Sequence, residues 1–558
     1  MIGVAARADE EGAAREFFEL FKTPWEFYQE NATYEVIIDT VGETALSCNA
    51  GTIIVFSSDI TPFDDKKRCI INKGEQTLLS TPEGEELPLF GKLLCFDEAE
   101  HPLLYTEEDR RIAGYARRNG TSSLLRVGYD LFQEVRHVLT LWQEKKFSRF
   151  PTLDLHIFLL RNWILKSGVP VIEIPPKPPG FAFIVCLTHD VDFYAIRKHF
   201  LDHTFWGFLY RGWFMTLMDF LRGRVPLDRA IANWMAVLLL PFVYLGLVRD
   251  YWIQFHRYRA IEKDLYATFF VVPFKNRTGI GFAGAGRRAT RYDIDDIESE
   301  IPPLLSSGFE IAVHGIDSWC DPDRGRLERE KVSRVTGQEE TGLRVHWLCL
   351  NELSFHCFEK SGYSYDSSLG YNDAAGFRGG TAQAFRPLGV EKLLELPLNI
   401  QDTALFYPDR MNLDEEKARD VVDDLVKTVR KTGGVLTVNW HHRSLAPERL
   451  WGKFYLDLLN LLKEEKPWFA TARQAVHWFQ KRRSVKFGTV TTSSSGLTLN
   501  VSVKGNRNGP DLLLRVHMPE NDGEKDFFRM ACGRSRCVEI SFSGSGELTL
   551  SLTTRQTS

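Results

Sequence analysis

The chain has 558 residues, 44% of them hydrophobic and 26% charged, with a net charge of -5. Such a composition belongs to a folded chain too long for one core, and excludes a disordered chain. The small acidic excess argues against a general nucleic-acid binder, which needs a basic surface. The nine cysteines are scattered without CxxC spacing, so reduced thiols and a reducing compartment are expected. The first residues, MIGVAARADEEGAAREFFELF, lack a basic start followed by an apolar core, so export by the usual route is not expected.

Residues 1–178 mix short apolar runs (TYEVIIDTV, GTIIVF, GKLLCF) with helical patterns such as YDLFQEVRHVLTLW, which predicts an N-terminal α/β domain. The proline-rich VIEIPPKPPG, residues 171–180, can continue neither a helix nor a central strand and reads as a linker. Residues 179–485 alternate strand-like runs with helical stretches: FAFIVCL, ATFFVVPF, FEIAVHG, GLRVHWL, LLELPLN and GGVLTVNWHH. This order predicts parallel β/α units, whose ligands collect at the carboxyl ends of the strands. Residues 486–558 show period-two alternation with Ser, Thr and Val and predict a small antiparallel β module.

An insertion at 193–250 interrupts the parallel pattern and carries two apolar runs, FWGFLYRGWFMTLMDFL and AIANWMAVLLLPFVYLGLV. Three readings stay open: a buried helical hairpin, helices lying in a membrane interface, and a membrane span. Asn233 and Pro241 break the second run and its flanks are charged, which weighs against a span.

The chemistry is carried by strand ends. Asp190 and Asp192 close the run FAFIVCLTHDVD two residues apart, so in a strand both carboxylates share one face. Held close, two such groups titrate apart, leaving one to bind a cation and the other to act as a base. His314 ends FEIAVHG and suits a mixed nitrogen and oxygen metal site with Asp192. Arg344 and His346 follow on GLRVHWL, where the arginine can orient a carboxylate. His441 and His442 end the last run, and either could serve as an acid. Arg378 and Arg386 in GYNDAAGFRGGTAQAFRP could grip an anion.

These motifs together resemble the polysaccharide deacetylases of carbohydrate esterase family four, over roughly residues 181–485. THDVD, residues 188–192, looks like the family's first motif, FEIAVHG like the strand carrying a ligand histidine, GLRVHWL like the arginine motif, and GGVLTVNWHH like the last. The resemblance implies a deformed parallel β/α barrel and a divalent metal, zinc first, held by Asp192 and His314. It also implies Asp190 as catalytic base, Arg344 as its orienting partner and His441 as acid. The family places a second ligand histidine four residues after the first, and Ser318 stands there. His346 is then the expected third ligand, with Asp317 behind it. The implied reaction removes acetyl groups from N-acetylated sugars, lipid-linked ones included, during glycan assembly at the cytoplasmic face of a membrane. The alternative is an impaired pseudo-deacetylase that binds carbohydrate or a membrane partner.

Overall fold

The structure, a computed structural model, describes every residue except 43–49, 65–68, 73–75, 120–121, 283–284, 494–495, 504–508, 520–535, 544–545 and 553–558. The chain divides into two compact units. One comprises Met1–Gly180, Gly379–Leu388 and His477–Ser558, the other Phe181–Arg378 and Gly389–Val476.

In the first unit, the strands Ile2–Ala5, Tyr34–Asp39, Ala50–Phe56 and Ser122–Val127 pair in parallel, and the sheet continues with antiparallel strands from Ile112–Asn119 onward. Helices Glu11–Phe21, Leu131–Leu141 and Thr152–Lys166 contribute buried apolar faces. Residues 171–180 are more than a linker. Val171–Glu173 is a strand, antiparallel to Leu512–Met518, which pairs in turn with Arg536–Phe542. Buried Glu173 accepts from Arg161 Nε (2.9 Å) and lies 3.0 Å from His517 Nε2, so the C-terminal strands are pinned to the N-terminal segment by charge as well as by backbone. Arg386 belongs to this unit, with its guanidinium 3.7 Å from Glu16.

The second unit is built on a mainly parallel sheet. Its strands are β1 (Ile184–Val191), β2 (Ala267–Val271), β3 (Glu310–Gly315), β4 (Leu343–Val345), β5 (Tyr365–Asp366), β6 (Leu394–Glu395), β7 (Ile400–Gln401), β8 (Val435–Asn439) and β9 (Trp468–Phe469). The order is β6-β5-β4-β3-β2-β1-β8-β7, with β9 also paired to β1. Flat, eight strands would hold the edges about 34 Å apart. Yet β6 and β7 are consecutive, and the five peptide steps from Glu395 to Ile400 reach at most about 18 Å. The sheet must therefore curl, and the curl turns alternate residues of β1 to β4 inward.

Strand β1 is buried along its whole length, as a parallel strand covered on both faces must be. Its outward residue His189 is satisfied by the Trp440 carbonyl (2.8 Å) and by Glu262 (3.2 Å). Thr188 and Asp190 take the other face.

The insertion forms helices His203–Leu209, Thr216–Leu221, Leu227–Leu238 and Leu240–Tyr244, with a wider π-helical turn over Tyr210–Met215. Phe208, Ala236, Leu240 and Val243 pack on Ile196, Trp252 and Ala446, so one side is core. Gly212 permits the close helix approach: a Cβ there would lie 2.7 Å from Val237 Cγ2. Trp213, Phe214, Leu221, Leu245 and Leu247 of the insertion are exposed. Among the described residues no helix is long and apolar enough to cross a membrane.

One close approach sets the position of β4. A Cβ on Gly342 would fall 2.0 Å from the ring of buried Tyr365, whose hydroxyl donates to Glu310 (2.9 Å). Gly342→Ala should therefore cost about 2 kcal/mol in urea denaturation, the usual scale of an overpacked core. Unchanged stability would contradict this packing.

Candidate metal centre and active site

The site is assembled from the carboxyl ends of β1, β3, β4 and β8. Asp190 leaves β1 inward and is almost fully buried, 3% exposed. Arg344 Nη1 reaches its Oδ1 at 3.0 Å, and Asn439 Nδ2 donates to its Oδ2 at 2.8 Å. Arg344 starts three strands away, so only the curl of the sheet allows this bond. The guanidinium is otherwise occupied by Thr188 Oγ1 (2.7 Å) and by the Ser367 carbonyl and hydroxyl (both 2.9 Å), and it lies 4.3 Å over the Phe270 ring. Burial alone would raise the Asp190 pKa; Arg344, then His314 and His441, outweigh it and hold the carboxylate below its usual range.

Asp192 sits just past the end of β1. His314 and Arg344 are register partners on β3 and β4, and His314 Nδ1 donates to the Arg344 carbonyl (3.0 Å). That bond places a proton on Nδ1 and turns Nε2 into the cleft, 3.1 Å from Asp192 Oδ1, where both atoms could ligate one ion. His346 does not continue β4. Two residues beyond Arg344, with extended Val345 between, it faces the same way, and a tight turn follows in which Trp347 and Leu348 take positive φ values of 68° and 52°. His346 Nδ1 then lies 3.2 Å from Asp192 Oδ1 and 3.0 Å from His314 Nε2.

Asp192, His314 and His346 thus bring three donor atoms within 4.8 Å of one another. Two imidazoles and one carboxylate with open positions fit a divalent transition ion. Burial lowers the His346 pKa against the opposing pull of Asp192, and at Asp192 the neighbouring His346, His314 and His441 outweigh burial and take its pKa well below the ordinary value.

Ser318 is turned away from this group. Its hydroxyl donates to buried Glu328 (2.5 Å) and meets Tyr363 Oη (3.0 Å). Asp317 is also engaged elsewhere, accepting from Ile280 N (2.7 Å) and Arg324 Nη1 (2.8 Å).

The two adjacent histidines differ sharply. His441 Nδ1 lies 2.6 Å from Asp402, which also accepts the His441 amide (2.8 Å) and the Ser444 hydroxyl. Its Nε2 is 3.7 Å from Asp192 Oδ2. Burial would depress its pKa, but Asp402, with Asp192 and Asp190, raises it to about 10. His442 instead accepts the Gln254 amide (3.1 Å) in the core, and burial takes it down to about 3.

Asp190, Asp192, His314, His346 and His441 open into one cleft of about 490 Å³, bordered by Trp347 and Tyr407 and, from the insertion, by His203 and Arg211. Arg378 donates to the Gly370 carbonyl (2.8 Å) and does not border the cleft. Asp402 carries no motif of its own and opens the short helix Asp402–Phe406 just after β7, while Asn439 ends β8 inside GGVLTVNWHH, beside the histidines that drew notice.

No family model and no curated protein matches the chain. Solved structures similar to it include polysaccharide and carbohydrate deacetylases. One, assigned as a polysaccharide deacetylase from Mycobacterium smegmatis, shares 20% identity over 54% of this chain and 93% of that one, with a TM-score of 0.35. The carbohydrate deacetylase Agd3 shares 10% over 99% and 98%, at 0.40. The Puue allantoinase shares 16% over 55% and 94%, at 0.33.

Elemental analysis of purified variants checks the ligand set. Asp192→Ala and His346→Ala should each lose most of the bound divalent metal. Ser318→Ala should keep it while losing about 1–2 kcal/mol of stability, since Glu328 forfeits a buried partner. Metal lost from Ser318→Ala and kept by His346→Ala would reverse the assignment.

Proposed function

We propose that this chain is a metal-dependent hydrolase that removes acetyl groups from N-acetylated sugars. The observation that carries the reading is the company kept by the Asp192, His314 and His346 group: a fixed, ionised carboxylate and a carboxylate-held imidazole in the same cleft. Amide hydrolysis needs both, a base to take a proton from water and an acid to give one to the departing amine.

Asp192, His314 and His346 would hold a divalent ion, which would supply Lewis acidity toward an amide carbonyl and make water a better nucleophile. Asp190 accepts the water's proton, its two oxygens already oriented by Arg344 and Asn439. His441 donates from Nε2 to the amine, with Nδ1–H held by Asp402. The cleft has the volume of a small-ligand site and aromatic walls against which a sugar ring can rest. A protein that only binds carbohydrate has no use for a paired base and acid.

Asp190→Asn tests the reading. The amide keeps the shape and cannot take the proton, so acetate release from N-acetylated oligosaccharides should fall by about 10²- to 10⁴-fold with the metal still bound. Undiminished turnover would remove Asp190 from the mechanism.

The same reading places the protein against a membrane, acting on a lipid-linked sugar. The exposed side of the insertion supports this: Leu221, Leu245 and Leu247 are about 70% exposed, beside Trp206, Tyr210, Trp213 and Phe214. Apolar side chains so displayed, with seven Arg and Lys against four Asp over residues 193–250, suit an anionic lipid surface. Each large side chain buried in lipid contributes about 2 kcal/mol. Wild-type protein should float with anionic liposomes. Exchanging Trp213, Leu221 and Leu247 for serine should leave a folded protein in the soluble fraction. Wild-type protein that never floats would sink the membrane assignment.

A further inference from the structure

The cleft holds more positive charge than the reaction requires. Arg211, Arg410 and Arg443 border it together with Asp190 and Asp192, and Arg449 shares a side pocket with Asp190, His441 and Arg443. Arg443 and Arg449 are more than nine-tenths buried. Among the described residues neither guanidinium has a hydrogen-bond acceptor or an ion-pair partner in the protein.

What they do touch is aromatic. Arg443 lies 4.1 Å from the Phe193 ring centre and 4.6 Å from that of Trp252; Arg449 lies 5.2 Å from Tyr407 and 5.1 Å from Trp451. Ring faces stabilise a guanidinium from its own face and leave its N–H edges unused. Arg410 extends the group, also 5.2 Å from the Tyr407 ring centre, with Nη1 donating to Thr403 (2.7 Å). Arg211 has a buried Nε with no partner.

Two acids stand close. Asp409 borders the cleft at its exposed rim, and Glu448 attracts Arg211 while its Oε1 accepts from Trp252 Nε1 (3.0 Å). Burial raises the Glu448 pKa to about 7, so it neutralises the group only in part. Burial, and then the charge of Arg449, lower the Arg211 pKa to about 10, as in a cluster short of an anion.

We propose that Arg211, Arg410, Arg443 and Arg449 form an anion subsite beside the metal centre, so that the substrate is an acetylated sugar bearing a phosphate or a carboxylate. The inference extends the deacetylase reading by naming its substrate class. Planar guanidinium edges held by aromatic rings suit the oxygens of either group.

Binding measured by calorimetry on the Asp192→Ala protein tests the subsite apart from turnover and from the metal. Inorganic phosphate and N-acetylglucosamine 1-phosphate should bind, the latter about tenfold or more tightly than N-acetylglucosamine, and less so in high salt. Glucuronic acid is the carboxylate arm: binding equal to that of the phosphates assigns the subsite to either anion, and weaker binding assigns it to phosphate. Arg449→Gln and Arg410→Gln should each lower phosphate affinity about tenfold, and Arg449→Lys should restore part of it. The second variant lies at the cleft wall and tests the idea even if the buried site tolerates no change. Equal affinity for neutral and phosphorylated sugar, or unaltered phosphate binding in both glutamine variants, would overturn the proposal. Phosphate binding without any acetate release by wild-type protein would leave the subsite standing and remove the deacetylase reading.

Discussion

Everything at the centre of this molecule hangs on Arg344. Its side chain holds Asp190 at 3.0 Å and its own carbonyl fixes the tautomer of His314 at 3.0 Å. One residue thereby sets the position of a candidate base and of a candidate ligand. Both Arg344 and Asp190 are essentially out of water, where an unpaired charge would cost several kcal/mol, so neither tolerates loss of the other. The pair spans three strands and exists only because the sheet curls.

Within that frame the ionisable groups are separated in character by their partners. Asp190 and Asp192 are like charges two residues apart, and each stays ionised for a different reason. Arg344 is the main counterweight to burial for Asp190, and the facing imidazoles are for Asp192. Burial lowers the pKa of His346, whereas Asp402 raises that of His441. A candidate base, a candidate ligand set and a candidate acid can thus share one cleft without neutralising one another.

Much of this was legible in the residues alone. Period-two spacing put Asp190 and Asp192 on one face, and apolar runs ending in His314, Arg344 and His441 pointed to one end of a parallel sheet. The part that was not legible depends on distant pairing. His346, expected as third ligand in place of Ser318, does lie with Asp192 and His314, but that Ser318 would instead serve Glu328 could not be read. Asp402 lies in a run with no motif and Asn439 inside GGVLTVNWHH was not singled out, so their bonds to His441 and Asp190 went unread. Arg378 and Arg386, picked for a glycine-rich loop, serve other contacts, while the arginines of the cleft come from separate segments. The segment 171–180 was read from its prolines as a linker, but Val171–Glu173 finds its partner strand more than three hundred residues later.

The central claim is that acetyl release depends on a single divalent ion at the Asp192, His314 and His346 group. Purified protein assayed for acetate from N-acetylated oligosaccharides before chelation, after it, and after return of one equivalent of zinc tests this most directly. Activity should vanish with the metal and return with one equivalent. Turnover that survives complete metal removal, or a fully loaded protein that releases no acetate from any acetylated sugar, would contradict the account.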